Sequence, residues 1–323
     1  MVAQPVNPHW LRGLTLTAAL AAVAYLAVVF WAGHAEVATA LRMADPRLWI
    51  TLCGLSLMNY GLRFLRWHYY LGRLGSKIPF NASLRIYIGG FAFTTTPGKA
   101  GELARAIWLK PYGVPVNHTV AVFLAERIQD FIAVLLLACL GLSFYPGGWV
   151  LLLAGSALTA VALAVLFIPA VPSALARWAT RVAGPRAGVL VRMTDILAHT
   201  RLCLSAAPLA GGLALGLAAW FAHCWGFFLL TEAMGHPIPA RAAISIYAFS
   251  MLAGAVSMLP GGLGGAEATL IALLRLWGLT LSTAVAATLL INVATLWLAV
   301  LLGVIALSIH ARFSADRVAP ACT

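Results

Sequence analysis

Charge is what this sequence has least of. Asp, Glu, Lys and Arg make up 9% of its 323 residues, where soluble domains carry about 25%. That excludes an ordinary solvated surface. Acids are rarer than bases, 9 against 21, for a formal charge of +12. Cys53, Cys139, Cys203, Cys224 and Cys322 are scattered with no C-x-x-C, so neither a disulfide frame nor a cysteine metal site is expected. Also missing are G-x-x-x-x-G-K-[ST], H-E-x-x-H and G-x-S-x-G. A nucleotide loop, a zinc-protease helix and a nucleophile elbow are thereby excluded, and no cofactor is expected.

Apolar residues take up what charge leaves, at 62% of the chain. Uncharged runs such as 13–33 and 148–170 reach the roughly 20 residues that cross a bilayer. The expectation is an all-α polytopic membrane protein. Full spans are expected at about 13–33, 48–72, 118–140, 148–170, 207–231 and 281–309. The first run follows Arg12 and is too long for a signal-peptide core, so it reads as a retained helix. Bases sit mostly in loops without interleaved aromatics, which points to orientation and lipid headgroups and away from nucleic acid. Segment 173–206 carries Arg177, Arg181, Arg186, Arg192 and Arg201 among apolar residues. It suits cytoplasmic helices on the membrane surface or a plain basic loop.

Two apolar segments, 83–110 and 241–276, are each cut by a Pro-Gly pair, Pro97-Gly98 and Pro260-Gly261. Neither arm of the first is long enough to cross about 30 Å, so a re-entrant helical hairpin is expected there. The second segment reads the same way, although its arm 241–259 is long enough to span. The two segments also resemble each other. "GSKIPFNASLRIY" (75–87) aligns with "GHPIPARAAISIY" (235–247) at an offset of 160. "TPGKAGELA" and "LPGGLGGAEATL" follow, with Glu102 and Glu267 at an offset of 165. A repeat over 48–140 and 207–309 is expected, as part of a single membrane domain. Counting the crossings between its halves makes it inverted, the architecture of many transporters. With both termini cytoplasmic, most loop bases lie on the cytoplasmic side. The distribution also allows eight full crossings.

Charges inside the bilayer are costly, roughly 2.5–3.5 kcal/mol each on insertion scales. "ERIQD" places Glu126, Arg127 and Asp130 inside a span, with the two carboxylates one turn apart. Lys99, Arg105 and Arg127 are the natural partners. One arrangement is a closed network, Glu102 with Arg105 and Asp130 or Glu126 with Lys99, pinning the hairpin. The other is a polar path for a headgroup, with a phosphate displacing a carboxylate from Lys99. Thr96 can cap a helix starting at Pro97, whose free N–H groups would join Lys99 in an anion site. At the second turn, glycines offer close backbone approach. There Glu267 can carry a proton, pair with Arg275 or face a cation. Arg63 and Arg66 read first as snorkelling side chains near a helix end, second as a lipid-phosphate clamp. His68, His118 and His223 read as packing or interface residues.

Residues 94–137 and 259–297 resemble the two signature regions of a flippase-like membrane family. That family includes the transmembrane flippase domain of lysylphosphatidylglycerol synthases. The resemblance runs over about 10–310, and P-G-x-x-G-E followed by E-R-x-x-D is its most specific part. It implies lipid translocation across the bacterial inner membrane. Aminoacyl phospholipids, polyprenyl-phosphate sugars and hopanoids are the substrates associated with family members. By motif match it implies a functional set of Pro97, Gly98, Gly101, Glu102, Arg105, Glu126, Arg127 and Asp130. Pro260, Gly261, Gly264 and Glu267 join them from the second region. No soluble aminoacyl-transferase domain accompanies them here, so lipid synthesis is not expected.

The reading is therefore a lipid flippase for an anionic phospholipid or lipid-linked headgroup. Two alternatives stay open: a small-solute or ion-coupled transporter, and a membrane enzyme using carboxylates as general bases. A groove open to lipid separates the first from a closed vestibule.

Overall fold

Asp45 begins the first helix by accepting a hydrogen bond from Arg47 N at 2.9 Å, and Pro46 occupies the first helical turn, where its missing N–H costs nothing. The structure, a computed structural model, describes residues 45–96, 99–144, 148–168, 174, 177–178, 185–257, 259 and 264–316. The expected span 13–33, the two Pro-Gly pairs and most of 169–184 lie outside the described residues.

Helix α1 (Pro46–Arg73) leads into a hairpin of α2 (Phe80–Gly90), a 3-10 turn (Phe91–Phe93), a second 3-10 turn (Ala100–Ala104) and α3 (Arg105–Leu109). Then come α4 (Val116–Ala138), α5 (Gly148–Phe167) and α6 (Pro185–Cys203). The second half has α7 (Ala206–Ala233), α8 (Ala240–Ser257), α9 (Gly265–Leu276), α10 (Leu281–Asn292), a π turn (Val293–Trp297) and α11 (Leu298–Asp316). The described chain is all-α and multi-pass. Among the described residues, four helical stretches are long and apolar enough to cross a membrane: Pro46–Arg73, Ala206–Ala233, Ala240–Ser257 and Leu281–Ile309. Helix α4 has 23 residues but carries the three charges of "ERIQD". Helix α5 presents Trp149, Leu153 and Val161 outward, more than half exposed, as suits a lipid-facing side.

The two halves end their helices in the same way. After α1, Gly75 turns left-handed at φ 79° and Ser76 N donates to Leu71 O at 2.9 Å. After α7, Gly235 turns at φ 76° and His236 N donates to Thr231 O at 3.1 Å. Both are Schellman ends, which need glycine at the left-handed position. Further on, Gly113 (φ 74°) and Gly278 (φ 83°) close α3 and α9 with the same bond pattern, Val114 N to Leu109 O and Leu279 N to Leu274 O. These matches keep the offsets of 160 and 165. Helices α1 and α7 pack along each other, and Asn59 Nδ2 donates to Ala219 O at 2.6 Å across the contact, 160 positions apart. This bond joins a residue to the position 160 further along the chain.

In the first hairpin α2 and α3 pack against each other. The 11 residues of α2 rise about 16 Å, well short of a bilayer core. A described 3-10 turn begins at Ala100, directly after Lys99, which adopts a left-handed φ of 57°; the expected helix start at Pro97 lies outside the described residues. Thr96 still acts as a cap: its Oγ1 accepts from Gly101 N at 2.7 Å and donates to Phe93 O at 2.8 Å. Gly101 is required there, since a Cβ would lie 2.7 Å from Phe93 Cβ and 2.8 Å from Thr96.

Helix α11 seats this hairpin by passing it at Gly303. A Cβ there would stand 2.1 Å from Ala92 N and 2.7 Å from Phe91 C, both backbone atoms that cannot swing aside. Gly303→Ala is expected to cost about 1–3 kcal/mol by overpacking. Thermal unfolding in detergent checks this, with Gly72→Ala, which meets nothing within 4 Å, as the neutral control.

Candidate functional site

Helix α1 carries Arg63 and Arg66 one turn apart, and α4 carries Glu126, Arg127 and Asp130. Packing of α1 and α4 brings both sets together. Asp130 accepts from Arg66 Nη2 at 2.6 Å through Oδ1 and from Arg63 Nη2 at 3.1 Å through Oδ2. Arg127 Nη2 stands 3.2 Å from the same Oδ2 without hydrogen-bond alignment. Arg66 Nε faces Glu126 Oε1 at 3.8 Å. Arg66 and Glu126 are fully buried, and Arg63 is 6% exposed.

The snorkelling expectation for Arg63 and Arg66 is thus corrected. They lie 10 and 7 residues before the end of α1, roughly 15 and 10 Å inward, and turn toward the acids of α4. The expected pairing of Asp130 or Glu126 with Lys99 is corrected with it, because α1 delivers guanidiniums to both carboxylates first. Room for Arg66 comes from α7, where a Cβ on Gly216 would sit 2.8 Å from Arg66 Nη1. One turn away, Gly212 leaves space for Tyr70, whose hydroxyl donates to Gln129 Oε1 at 2.8 Å.

Glu102 and Arg105 do pair, at 3.2 Å, as their i,i+3 spacing predicts. Thr94 Oγ1 donates to Glu102 at 3.0 Å. Arg105 lies over the rings of Tyr87 at 4.3 Å and Trp67 at 5.1 Å, and its chain fills the space above Gly90. These two residues tie the hairpin together inside the protein. At the second hairpin Glu267 does not pair with Arg275. Its Oε2 accepts from Gly264 N at 2.6 Å, capping α9, and its Oε1 accepts from Asn292 Nδ2 at 2.9 Å. Arg275 donates to Leu279 O instead. The i,i+3 reach from Glu267 back to the helix start explains this preference.

Between these elements lies a cavity of about 390 Å³. Its wall holds Lys99, Arg127, Asp130 and Glu267 from the expected site residues. Thr96, Gly101, Glu102, Arg105 and Glu126 support the wall without lining it, Gly264 caps α9 beside it, and Pro97, Gly98, Pro260 and Gly261 lie outside the described residues. The wall also contains residues that the motifs did not single out: Tyr60, Thr94, Trp220, Tyr247, Asn292 and Thr295. Arg63, expected to snorkel or to clamp a lipid phosphate, and His223, expected as a packing or interface residue, join them. The repeat offset is the signal that finds several of them. Tyr60 and Trp220, and Arg63 and His223, are 160 apart; Arg127 and Asn292, and Asp130 and Thr295, are 165 apart. The π turn lets Thr295 O accept from the Tyr60 hydroxyl, and such turns recur at functional sites.

The wall's electrostatics are lopsided. Arg63, Lys99 and Arg127 face Asp130 and Glu267. Both acids are already engaged, Asp130 by arginines and Glu267 by Gly264 and Asn292. Lys99 has no ion-pair partner among the described residues, although Glu102 and Asp130 lie within its electrostatic reach alongside Arg63 and Arg127. Ring and guanidinium nitrogens of Arg63, Arg127, Trp220 and His223 lack hydrogen-bond partners. The cavity therefore has donors to spare and its acids occupied. No three His, Cys, Asp or Glu side chains gather as metal ligands among the described residues.

Comparison with known proteins adds a second line of observation. Residues 16–303 match the family described as the lysylphosphatidylglycerol synthase TM region. A protein of Methanothermobacter thermautotrophicus (strain Delta H), described as a UPF0104 membrane protein, is 25% identical over 334 positions, covering 93% of this chain and 94% of the relative. A second protein of that organism with the same description is 24% identical over 312 positions, covering 88% and 92%.

Proposed function

Because the chain belongs to the family of the lysylphosphatidylglycerol synthase TM region, we propose that it passes the headgroup of an anionic phospholipid through the central cavity while the acyl chains stay in lipid. Membership makes it a lipid-handling, flippase-like transmembrane protein. The finer reading rests on one observation: a cavity whose wall has two engaged acids and three cations, one of which, Lys99, has no ion-pair partner among the described residues. Spare buried donors call for an acceptor-rich anion. A phosphodiester supplies one; so does a polyprenyl phosphate. A neutral hopanoid supplies none, and an aminoacyl headgroup would bring an ammonium to a wall with no free carboxylate.

The matched turns at offsets of 160 and 165 support an inverted repeat, with α2–α3 and α8–α9 as opposed hairpins meeting at the cavity. In this arrangement both termini are cytoplasmic and the hairpin of α2 and α3 enters from that face, in the inner membrane. The short rise of α2 supports its re-entrant placement.

The test is headgroup selectivity. Purified protein in liposomes of neutral lipid is supplied with fluorescent phosphatidylglycerol or phosphatidylcholine, and translocation is read by dithionite quenching. Phosphatidylglycerol is expected to cross at least tenfold faster, about 1.4 kcal/mol of preference. Equal rates for the two headgroups would refute the anion reading, and rates equal to those of protein-free liposomes would refute flipping itself.

A further inference from the structure

Across the cavity, paired positions are chemically unequal. Arg63 is matched by His223, Arg127 by Asn292, and Lys99 by Gly264, at the offsets of 160 and 165. At these positions one half carries charge and the other is neutral; the second half's one acid on the wall, Glu267, is held by Gly264 and Asn292. Two of those neutral groups carry a buried ring nitrogen with no hydrogen-bond partner: Trp220 Nε1 and His223 Nε2. Both residues line the cavity and are more than nine-tenths buried, at 8% and 7% exposed. Their rings are fixed in place. Tyr60 and Tyr247 stand edge-on to His223 at 6.1 and 6.4 Å, and Trp220 edge-on at 6.0 Å. The Tyr60 hydroxyl donates to Thr295 O and is not a partner of either nitrogen.

Buried donors without acceptors are rare in folded proteins and call for a cause. A transported group also needs somewhere to go. A site that holds an anion by three cations lets it leave only if a second, weaker position competes, as in channels that pass ions between adjacent sites. We propose that Trp220 and His223 form this second headgroup position, which takes phosphate or ester oxygens by neutral hydrogen bonds after they leave Lys99 and Arg127. The proposal rests on the headgroup reading above. It adds that the path has two stations in series, one charged and one neutral.

The experiment separates capture from passage. Flipping of fluorescent phosphatidylglycerol is measured in neutral liposomes over a range of mole fractions, giving a half-saturation point and a maximal rate. The Trp220→Phe/His223→Gln double variant removes one donor and replaces the imidazole. It is expected to lose at least tenfold in maximal rate with half-saturation shifted less than threefold. Lys99→Gly is expected to move half-saturation up by tenfold or more. Circular dichroism and thermal unfolding screen each variant for folding, and the single variants Trp220→Phe and His223→Gln supply the readout if the double one fails. A wild-type maximal rate in the folded variants overturns the second station and leaves the headgroup reading standing. A matching loss in half-saturation merges the two stations into one site and also overturns it. If the wild-type protein does not flip the lipid, the headgroup reading itself fails.

Discussion

Asp130→Asn is expected to destabilise the protein by about 3–5 kcal/mol, the cost of breaking a buried ion pair from one side. The reason is the number of guanidiniums on one carboxylate. Arg66 is fully buried and donates to Asp130 at 2.6 Å; Arg63 does so at 3.1 Å, and Arg127 stands at 3.2 Å. Asparagine keeps the shape but removes the charge, leaving Arg63 without its ion-pair partner and Arg66 with only Glu126 at 3.8 Å. Arg127→Gln gives the contrast. Its side chain is 23% exposed, so the loss should stay near 1 kcal/mol. The Arg66→Met/Asp130→Asn pair should recover part of the loss, because the most deeply buried cation goes with its anion. Arg63 still faces asparagine, so recovery stays partial. Denaturation of wild type, Arg66→Met, Asp130→Asn and the double variant in detergent, read as a double-mutant cycle with Arg127→Gln measured beside them, checks this. A cost below 1 kcal/mol for Asp130→Asn would mean that the arginines are balanced elsewhere.

That cluster also marks where sequence reasoning stopped. "ERIQD" announced acids at membrane depth, and the Glu102–Arg105 pair followed from helical spacing. The partners of Asp130 did not follow. Arg63 and Arg66 sit near a helix end on paper, and only the packing of α1 on α4 turns them inward. Glycines 212 and 216 on α7 are part of the same fact: they leave room for Tyr70 and Arg66, which no local pattern announces. The turn beginning at Ala100 was hidden for a different reason. Pro97, a good first helical residue, lies outside the described residues, and nothing in the sequence announces the left-handed Lys99 that precedes Ala100. The neutral positions of the cavity's second half become legible through the repeat offsets: Trp220 and His223 lie outside both signature regions, and Asn292 and Thr295 lie inside the second without standing out there. Each becomes visible once position 60, 63, 127 or 130 is carried across by 160 or 165.

Lys99→Gly is expected to cut flipping of an anionic lipid at least tenfold while leaving stability within about 1 kcal/mol of wild type. Lys99 is the single non-glycine residue with a left-handed φ among the described residues, at 57°. Five glycines hold the other left-handed positions, and one of them, Gly264 at φ 95°, is the match of Lys99 in the second half. A side chain in that conformation costs on the order of 1 kcal/mol, which glycine avoids. Glycine returns a similar amount as extra freedom in the unfolded chain. The fold therefore gains little from lysine here. What lysine adds is an ammonium with no ion-pair partner among the described residues, at the cavity wall beside Arg63 and Arg127. Removing it takes away a full charge at the point of capture, a loss that tenfold, or about 1.4 kcal/mol, understates if anything. Lys99→Met separates the two effects: it keeps the strained backbone and the apolar stem but not the charge. Both variants should flip slowly, and only the glycine one should be free of strain. If Lys99→Gly is stable and flips at the wild-type rate, the ammonium has no part in capture. The burden then passes to Arg63 and Arg127, whose ties to Asp130 would have to open for each headgroup.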